Sequence, residues 1–309
     1  GEDRETTIID GNQSGSVVTS AFYIEGFTIE NGSATIGGGV YGANEINNCI
    51  IQNNGATEAG GVYGFSILRN TIIKNNYASQ GGGIRQSSGL IEDCIFDNNG
   101  ASSHGGAIDA PFASVNFTIT RTIFINNSSE TGAVYNNWPY NSQGAVIFLN
   151  CVIYGNNASN YTIYGSDSDR TTFTNCIFDN NSGRNGGIFV EYSNYQTGGT
   201  DNQFVSFGGG VIGGNPEFTD PDNGDFTLLS TSPCIDTGDP DLDGDGEDYT
   251  TDTDDQDPDG TRMDMGAFYY HHADTLPPIV TLTSLTGGET LVTDSSYAIT
   301  WTSDDDVGV

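Results

Sequence analysis

Short hydrophobic triplets return along the chain at a near-constant interval, each followed by an Asn-rich stretch and then a Gly pair. The pattern is most regular in "NCIIQNNGATEAGGVYG" from Asn48, "NTIIKNNYASQGGGIRQ" from Asn70 and "DCIFDNNGASSHGGAID" from Asp93. With the first residue of each triplet as anchor, the anchors are Phe27, Cys49, Thr71, Cys94, Thr122, Cys151 and Cys176, spaced by 22, 22, 23, 28, 29 and 25 residues. A period that holds and then loosens is the mark of a solenoid with loops inserted in its later turns. It is too short for a propeller blade, which needs about 40 residues.

Each repeat resolves into three short strands. An apolar residue stands three positions before every anchor: Ile24, Ile46, Leu68, Ile91, Ile119, Phe148 and Phe173. The two residues between form a tight corner, often with Asn (Asn48, Asn70, Asn150, Asn175), which tolerates a positive φ better than other non-Gly residues. Strand alternation puts the anchor and the residue two beyond it on one face. The Gly pair then supplies conformational freedom for a chain reversal into the third strand. Three strands and three corners per repeat predict an all-β, right-handed parallel β-helix of about eight to ten coils, with strands about 4.8 Å apart.

The same alternation predicts two outward columns. The third strands align Tyr41, Tyr63, Arg85, Ile108, Tyr135, Tyr164 and Phe189, with Trp138 and Tyr140 overhanging from a later loop. Such a strip is either a ladder that steadies neighbouring strands or a platform for sugar rings or a partner protein. The second strands align Thr28, Ile50, Ile72, Ile95, Ile123, Val152 and Ile177. An aliphatic stripe facing water is costly, so either something covers it or the inside/outside assignment slips by one residue.

Charge narrows the partners. The formal net charge is −33, from 41 acidic and 8 basic residues, which argues against nucleic acid and against an anionic membrane surface. No stretch approaches the about 20 apolar residues of a membrane helix. No signal peptide is visible, and the abrupt start at "GEDRETTIIDGN" points to an upstream segment that is missing. Four of the five cysteines (Cys49, Cys94, Cys151, Cys176) share the anchor position and read as small core residues; Cys151 and Cys176 fall in successive coils, where a bridge is conceivable.

Thirteen Asp or Glu lie between Asp236 and Asp264, opposed by Arg262 alone. Asp241, Asp243 and Asp245 alternate before Gly246, with Asp252 at the twelfth position of the loop; Asp255, Asp257 and Asp259 repeat the spacing before Gly260. Alternate carboxylates with a Gly-allowed bend converge on one hard cation, so Ca²⁺ is expected there. Its candidate ligands are Asp239, Asp241, Asp243, Asp245, Asp252, Asp255, Asp257 and Asp259.

The repeat resembles the right-handed parallel β-helix repeats of large bacterial extracellular and cell-surface proteins, including the polymorphic outer-membrane-protein type. "TIIDGN" at the start and "SPCIDTGDP…DGTRMDMGAFYY" near the end resemble the first and last turns of such β-helices. The "GGE…ITW" segment resembles the first strands of an immunoglobulin-like sandwich, too short here to close a domain of about 100 residues. The implied organisation is a β-helix over 1–235, an acidic calcium loop and cap over 236–270, a linker over 271–278 and the start of an immunoglobulin-like domain over 279–309.

Two functions compete. One is a non-catalytic adhesin or stalk module, calcium-stabilised, secreted or at the bacterial cell surface, binding glycan or a surface protein along its side. The other is a β-helix polysaccharide lyase or glycoside hydrolase, whose candidate residues are Arg85, His104 and Asp109. The coils carry no clustered Asp and little basic charge with which to grip an anionic polysaccharide, which favours the first.

Overall fold

Stacking of the hydrophobic triplets organises the molecule. The computed structural model describes residues 1–309 apart from 2, 87, 112–115, 138–143, 166–170, 197–204, 273–278, 285–295 and 305–309. The triplets form a nine-stranded parallel sheet running from Ile8–Asp10 through Thr28–Glu30, Ile50–Gln52, Ile72–Lys74, Ile95–Asp97, Ile123–Ile125, Val152–Tyr154 and Ile177–Asp179 to Asn194–Tyr195. The remaining strands of the repeats pair in parallel in a second sheet of 19 strands. Each repeat hydrogen-bonds to the next, so the chain is all-β with long parallel sheets, an arrangement consistent with a parallel β-helix. Among the described residues helix is confined to two single turns, Pro221–Asn223 and Thr253–Asp255.

The inward faces are those expected. Ile29, Ile51, Ile73, Phe96, Phe124, Ile153 and Phe178 stack in register and are all buried, as are the residues three before each anchor. Where aromatics occupy these columns they stack face to face, Phe96 on Phe124 with centroids 5.1 Å apart and Phe148 on Phe173 at 4.2 Å. Full burial of one such side chain contributes about 1.5–3 kcal/mol, and the repeat adds that term coil after coil.

The Asn pair divides its labour. Its first member takes the left-handed corner, with φ of 56° at Asn53 and Asn75 and 51° at Asn98. Its second member is buried and bonded to both neighbouring coils. Asn76 Nδ2 donates to Ile51 O at 2.9 Å and to Asn99 Oδ1 at 3.1 Å, and Asn54, Asn99, Asn127 and Asn156 repeat the scheme down to Asn181. The corners before the anchors are left-handed too, at Asn48, Asn70, Asn150 and Asn175, and also at Asp93 and Arg121.

The Gly pair has a different reason from the one expected. Gly60 has an ordinary backbone conformation, but a Cβ there would lie 2.6 Å from the carbonyl oxygen of Gly82 in the next coil. Close approach of coil to coil excludes a side chain; the left-handed residue is the preceding one, Ala59 or Gly81.

The outward aliphatic column is covered, and by this chain. Ile123, Val152 and Ile177 are buried in a second core with Phe218, Phe226, Leu228, Cys234 and Met265. A returning segment therefore lies over the outer face of the later coils. Its antiparallel hairpin, Phe218–Asp220 with Asp225–Leu228, precedes Asp236, so the cover begins inside the region assigned to the β-helix. Over the first coils the N-terminal segment does the same: Thr28 Oγ1 donates to Arg4 O at 2.6 Å, and Arg4 Nη1 reaches Asn70 O at 2.8 Å. Between the two covers, Ile72 and Ile95 remain half-exposed.

All five cysteines are free and buried, and Cys151 and Cys176 are not bridged. Burial pushes the Cys94 thiol up to about 12. Beyond the acidic loop, Ile279–Leu282 pairs antiparallel with Trp301–Asp304.

Candidate functional site

The returning segment is tied to two corner asparagines. Asn150 Nδ2 donates to Asp264 O at 3.0 Å. Asn175 accepts at its side chain from Asp239 N at 2.6 Å and at its carbonyl from Gly266 N at 2.8 Å. Ser232 Oγ donates to Pro216 O and accepts from Cys234 N, which seats Cys234 in the second core. The acidic loop 236–264 is thus held at both ends on the body of coils.

Within the loop, the carboxylates of Asp241, Asp243 and Asp245 offer oxygens within 4.8 Å of one another, and so do Asp243, Asp252 and Asp254. Backbone N–H groups orient them: Gly246 N donates to Asp241 Oδ2 at 3.2 Å, Asp245 N to Asp243 Oδ1 at 3.0 Å, and Asp254 N to Asp252 Oδ1 at 3.1 Å. Contact between Asp252 and Asp254 raises the Asp254 carboxyl above its ordinary range and lowers Asp252. Asp255 is 1% exposed. Its Oδ1 accepts from Leu242 N at 2.5 Å, between Asp241 and Asp243, while its Oδ2 is buried without a hydrogen-bond partner. Its carboxyl is raised by burial and then by the charges of Asp252, Asp241 and Asp243. Asp241, Asp243 and Asp245, and likewise Asp243, Asp252 and Asp254, are the oxygen sets a divalent cation fits, while Asp255 joins neither group.

The other expected ligands do different work. Asp239 accepts from Asp241 N at 3.2 Å and has its carboxyl raised by burial. Asp257 accepts from Asp264 N at 2.8 Å, and burial followed by the Asp264 charge pushes its carboxyl up to about 7. Asp264 accepts from Asp236 N at 2.7 Å and Tyr270 N at 2.5 Å, and burial pushes it up to about 6. Asp259 accepts from Thr261 Oγ1 at 2.8 Å and His272 N at 3.2 Å; burial opposes these bonds but they win, and its carboxyl falls. The second register, Asp255, Asp257 and Asp259, therefore does not converge on one point. Asp254 was not among the expected ligands although it stands two residues after Asp252, and the turn at Thr253–Asp255 sets the two side by side.

The aromatic column is interrupted. Tyr41 and Tyr63 face outward and stack, with centroids 5.6 Å apart and planes within 16°. The next positions in register are Arg85, the buried Asp109 and Asn136, and then Tyr164. Ile108 and Tyr135, expected outside, are in the core at 0% exposure. For Ile108 the cause is a bulge. The offset between paired strands is 23 residues at Ala78 and Ala101 but 24 at Gln80 and His104, and this one extra residue turns Ile108 inward; Tyr135 stands 13 residues after Thr122, as Ile84 does after Thr71, and takes the same inward place. Phe189 pairs with Thr172 and Ser206, in the strand that precedes the anchor, so it belongs to another column. Trp138 and Tyr140 lie outside the described residues.

The three lyase candidates are brought close together, two of them as parts of a ladder. Arg85 Nε donates to Asp109 Oδ2 at 2.9 Å, Arg85 Nη1 meets the Glu58 carboxylate, and Asn136 Nδ2 donates to Asp109 Oδ1 at 2.8 Å. Asp109 is 1% exposed, so the surface ion pair that Arg and Asp normally make is here a buried one. Burial raises the Asp109 carboxyl despite these bonds. Half-buried His104 has Nδ1 2.9 Å from Ser103 Oγ.

No family model, no curated protein and no solved structure matches this chain. Any reading of function therefore stands on the geometry and on the pattern of the sequence itself. A cavity of about 560 Å³ lies where the returning segment meets the corners of the coils, lined by Arg121, Leu149, Leu242, Met263, Phe268 and Tyr269 among others. Near the first coils a shallow shelf carries the hydroxyls of Ser16, Ser33 and Thr35 beside Tyr41. No helix among the described residues is long and apolar enough to cross a membrane.

Proposed function

We propose that this chain is a non-catalytic module of a bacterial cell-surface or secreted protein. It is a right-handed parallel β-helix of about eight to ten coils, belonging with the surface-protein repeats it resembles, stabilised by calcium at its exit loop and followed by the start of an immunoglobulin-like domain. Glycan or a surface protein docks on its side. The observation that carries the binding reading is the outward Tyr41–Tyr63 stack next to the hydroxyl shelf. A flat aromatic face with hydroxyls beside it suits a sugar ring, which offers an apolar face and a rim of hydroxyls. The calcium reading is supported by the two groups of converging carboxylates, Asp241 with Asp243 and Asp245, and Asp243 with Asp252 and Asp254.

Arg85 supports a structural role better than a catalytic one, because two carboxylates already engage its guanidinium. Stacking on a single ring contributes modestly, so useful adhesion relies on several contacts or many copies. The test is a glycan and host-surface binding panel with Tyr41→Ala/Tyr63→Ala against the parent chain. Binding lost, with stability changed by no more than about 1–2 kcal/mol, is the expected outcome. Release of unsaturated sugars from a polysaccharide by the parent chain, absent after Arg85→Ala, hands the assignment to the lyase.

A further inference from the structure

The returning segment meets the corners of the coils without filling the space between them. The cavity of about 560 Å³ left there has Leu149 on the side of the coils and Leu242, Met263, Phe268 and Tyr269 on the side of the returning segment. Leu149, Leu242, Met263 and Tyr269 are half-buried and Phe268 is exposed. Apolar surface gathered in a concave space of this size is what small-molecule sites are built from, and a few polar groups then set their selectivity.

Three charged residues line the cavity among those described: Arg121, Asp257 and Asp264. Arg121 is already engaged, since its Nε donates to Asp93 Oδ1 at 2.8 Å and its Nη2 to Glu92 Oε1 at 2.7 Å. Asp264 is engaged through both oxygens, which accept from Asp236 N and Tyr270 N. Asp257 is engaged through one. Its Oδ2 accepts from Asp264 N at 2.8 Å, while its Oδ1 takes no hydrogen bond among the described residues. Asp257 is buried, and the charges acting on it, from Asp264, Asp259 and Asp236, are all acidic. A buried carboxylate calls for a donor or a counter-charge, and the protein supplies only half of what this one accepts.

The geometry points to a site for a small organic cation, with its ammonium group against Asp257 and its hydrocarbon body against Leu149, Leu242 and Met263. Phe268 and Tyr269 add ring faces that attract the same charge. A neutral molecule leaves the Asp257 charge unanswered, and an anion is repelled by it and by the net charge of −33. A bare divalent ion needs about six to eight oxygens, which a largely apolar wall does not offer. This site stands apart from both the calcium and the glycan readings.

The test is calorimetric titration of the full chain with 2-phenylethylammonium and hexylammonium, against 2-phenylethanol and hexanoate as neutral and anionic counterparts. Millimolar Ca²⁺ is present throughout, so that the exposed carboxylates of the loop are screened. One ammonium ion per chain is expected, bound about tenfold or more tightly than either counterpart. Asp257→Asn keeps the bond from Asp264 N and weakens the ammonium probes by a similar factor, whereas Asp245→Asn, on the exposed part of the loop, leaves them unchanged. Leu149→Ala and Leu242→Ala, one on each side of the cavity, both weaken binding severalfold, and Leu149→Ala reads the site without touching the loop. Circular dichroism checks that every variant keeps its coils. Equal affinity for ammonium and alcohol, or equal losses from Asp245→Asn and Asp257→Asn, overturns the site. So does binding that neither leucine variant weakens, or no saturable binding of either ammonium probe at millimolar concentration.

Discussion

Asn54, Asn76, Asn99, Asn127, Asn156 and Asn181 form a column of like side chains inside the coils, and Asp241, Asp243 and Asp245 form a cluster of like side chains at the exit. Each arises from one polar residue repeated, once per coil in the first case and at every second residue in the second. The outcomes differ because an amide both donates and accepts, whereas a carboxylate only accepts. Asn76, Asn99, Asn127 and Asn156 each donate to a carbonyl of the preceding coil and to the next Asn, and accept from the Asn before, so the column supplies its own partners. Crowded Asp side chains have nothing to give each other, and Asp255 is left with a bare oxygen. Repetition makes a self-sufficient ladder from one side chain and, on the calcium reading proposed above, a cation site from the other, although the two differ by one NH₂ group.

The strongest way to break this contrast is to move one residue type into the other's place. Asn99→Asp puts an acceptor against Ile73 O and Asn127 Oδ1, which now receive bonds of 2.8 and 3.1 Å. A loss of about 3–5 kcal/mol is expected in denaturant unfolding at neutral pH, the scale of an uncompensated buried charge. The loss should shrink below about pH 4, where the protonated acid regains a donor. A variant as stable as the parent at neutral pH would show that the ladder's donors do not matter.

Calcium sharpens the other side. At free Ca²⁺ of 100 times Kd, one site that binds only the folded loop stabilises it by about 2.7 kcal/mol. Chelator should therefore lower the melting temperature and open the loop 236–264 to protease in the parent chain, with no such effect on Asp243→Asn. Equal melting and equal protease resistance with and without EDTA would remove the ion from the account.

Protons bear on two other buried carboxylates of the same loop. Folding lifts Asp257 to about 7 and Asp264 to about 6 from an ordinary 3.8. Between those values the folded chain binds more protons than the unfolded one, so stability falls as pH rises from about 4 to about 7 and levels off above. Melting of the metal-free chain at about pH 4.5, 6 and 8 checks this, and a rise in melting temperature over the first interval would contradict it. The smallest effect is expected at the first coils, where Tyr41→Ala/Tyr63→Ala should cost at most about 1–2 kcal/mol, since Tyr41 is 42% exposed and its partner half-buried. A larger loss in the melting curve would make the pair a structural ladder.

What the sequence by itself determined is whatever one coil repeats. The inward positions before and after each anchor, from Ile24 to Phe178, follow from strand alternation and a period that a reader can count, and all of them are buried. The left-handed Asn corners follow from residue chemistry in the same way. Three things were decided only in three dimensions. The bulge near His104 turned Ile108 inward, because one extra residue in a strand looks in the sequence like one more residue of loop. The aliphatic stripe was sealed by a segment far along the chain, with Asn150 and Asp264 in contact across 114 residues, a pairing that no local period records. The alternate Asp spacing marked the cluster, yet Asp254 joined it and Asp257 and Asp259 did not. Spacing sets which side chains are able to converge, while the backbone donors of the folded loop choose which of them do.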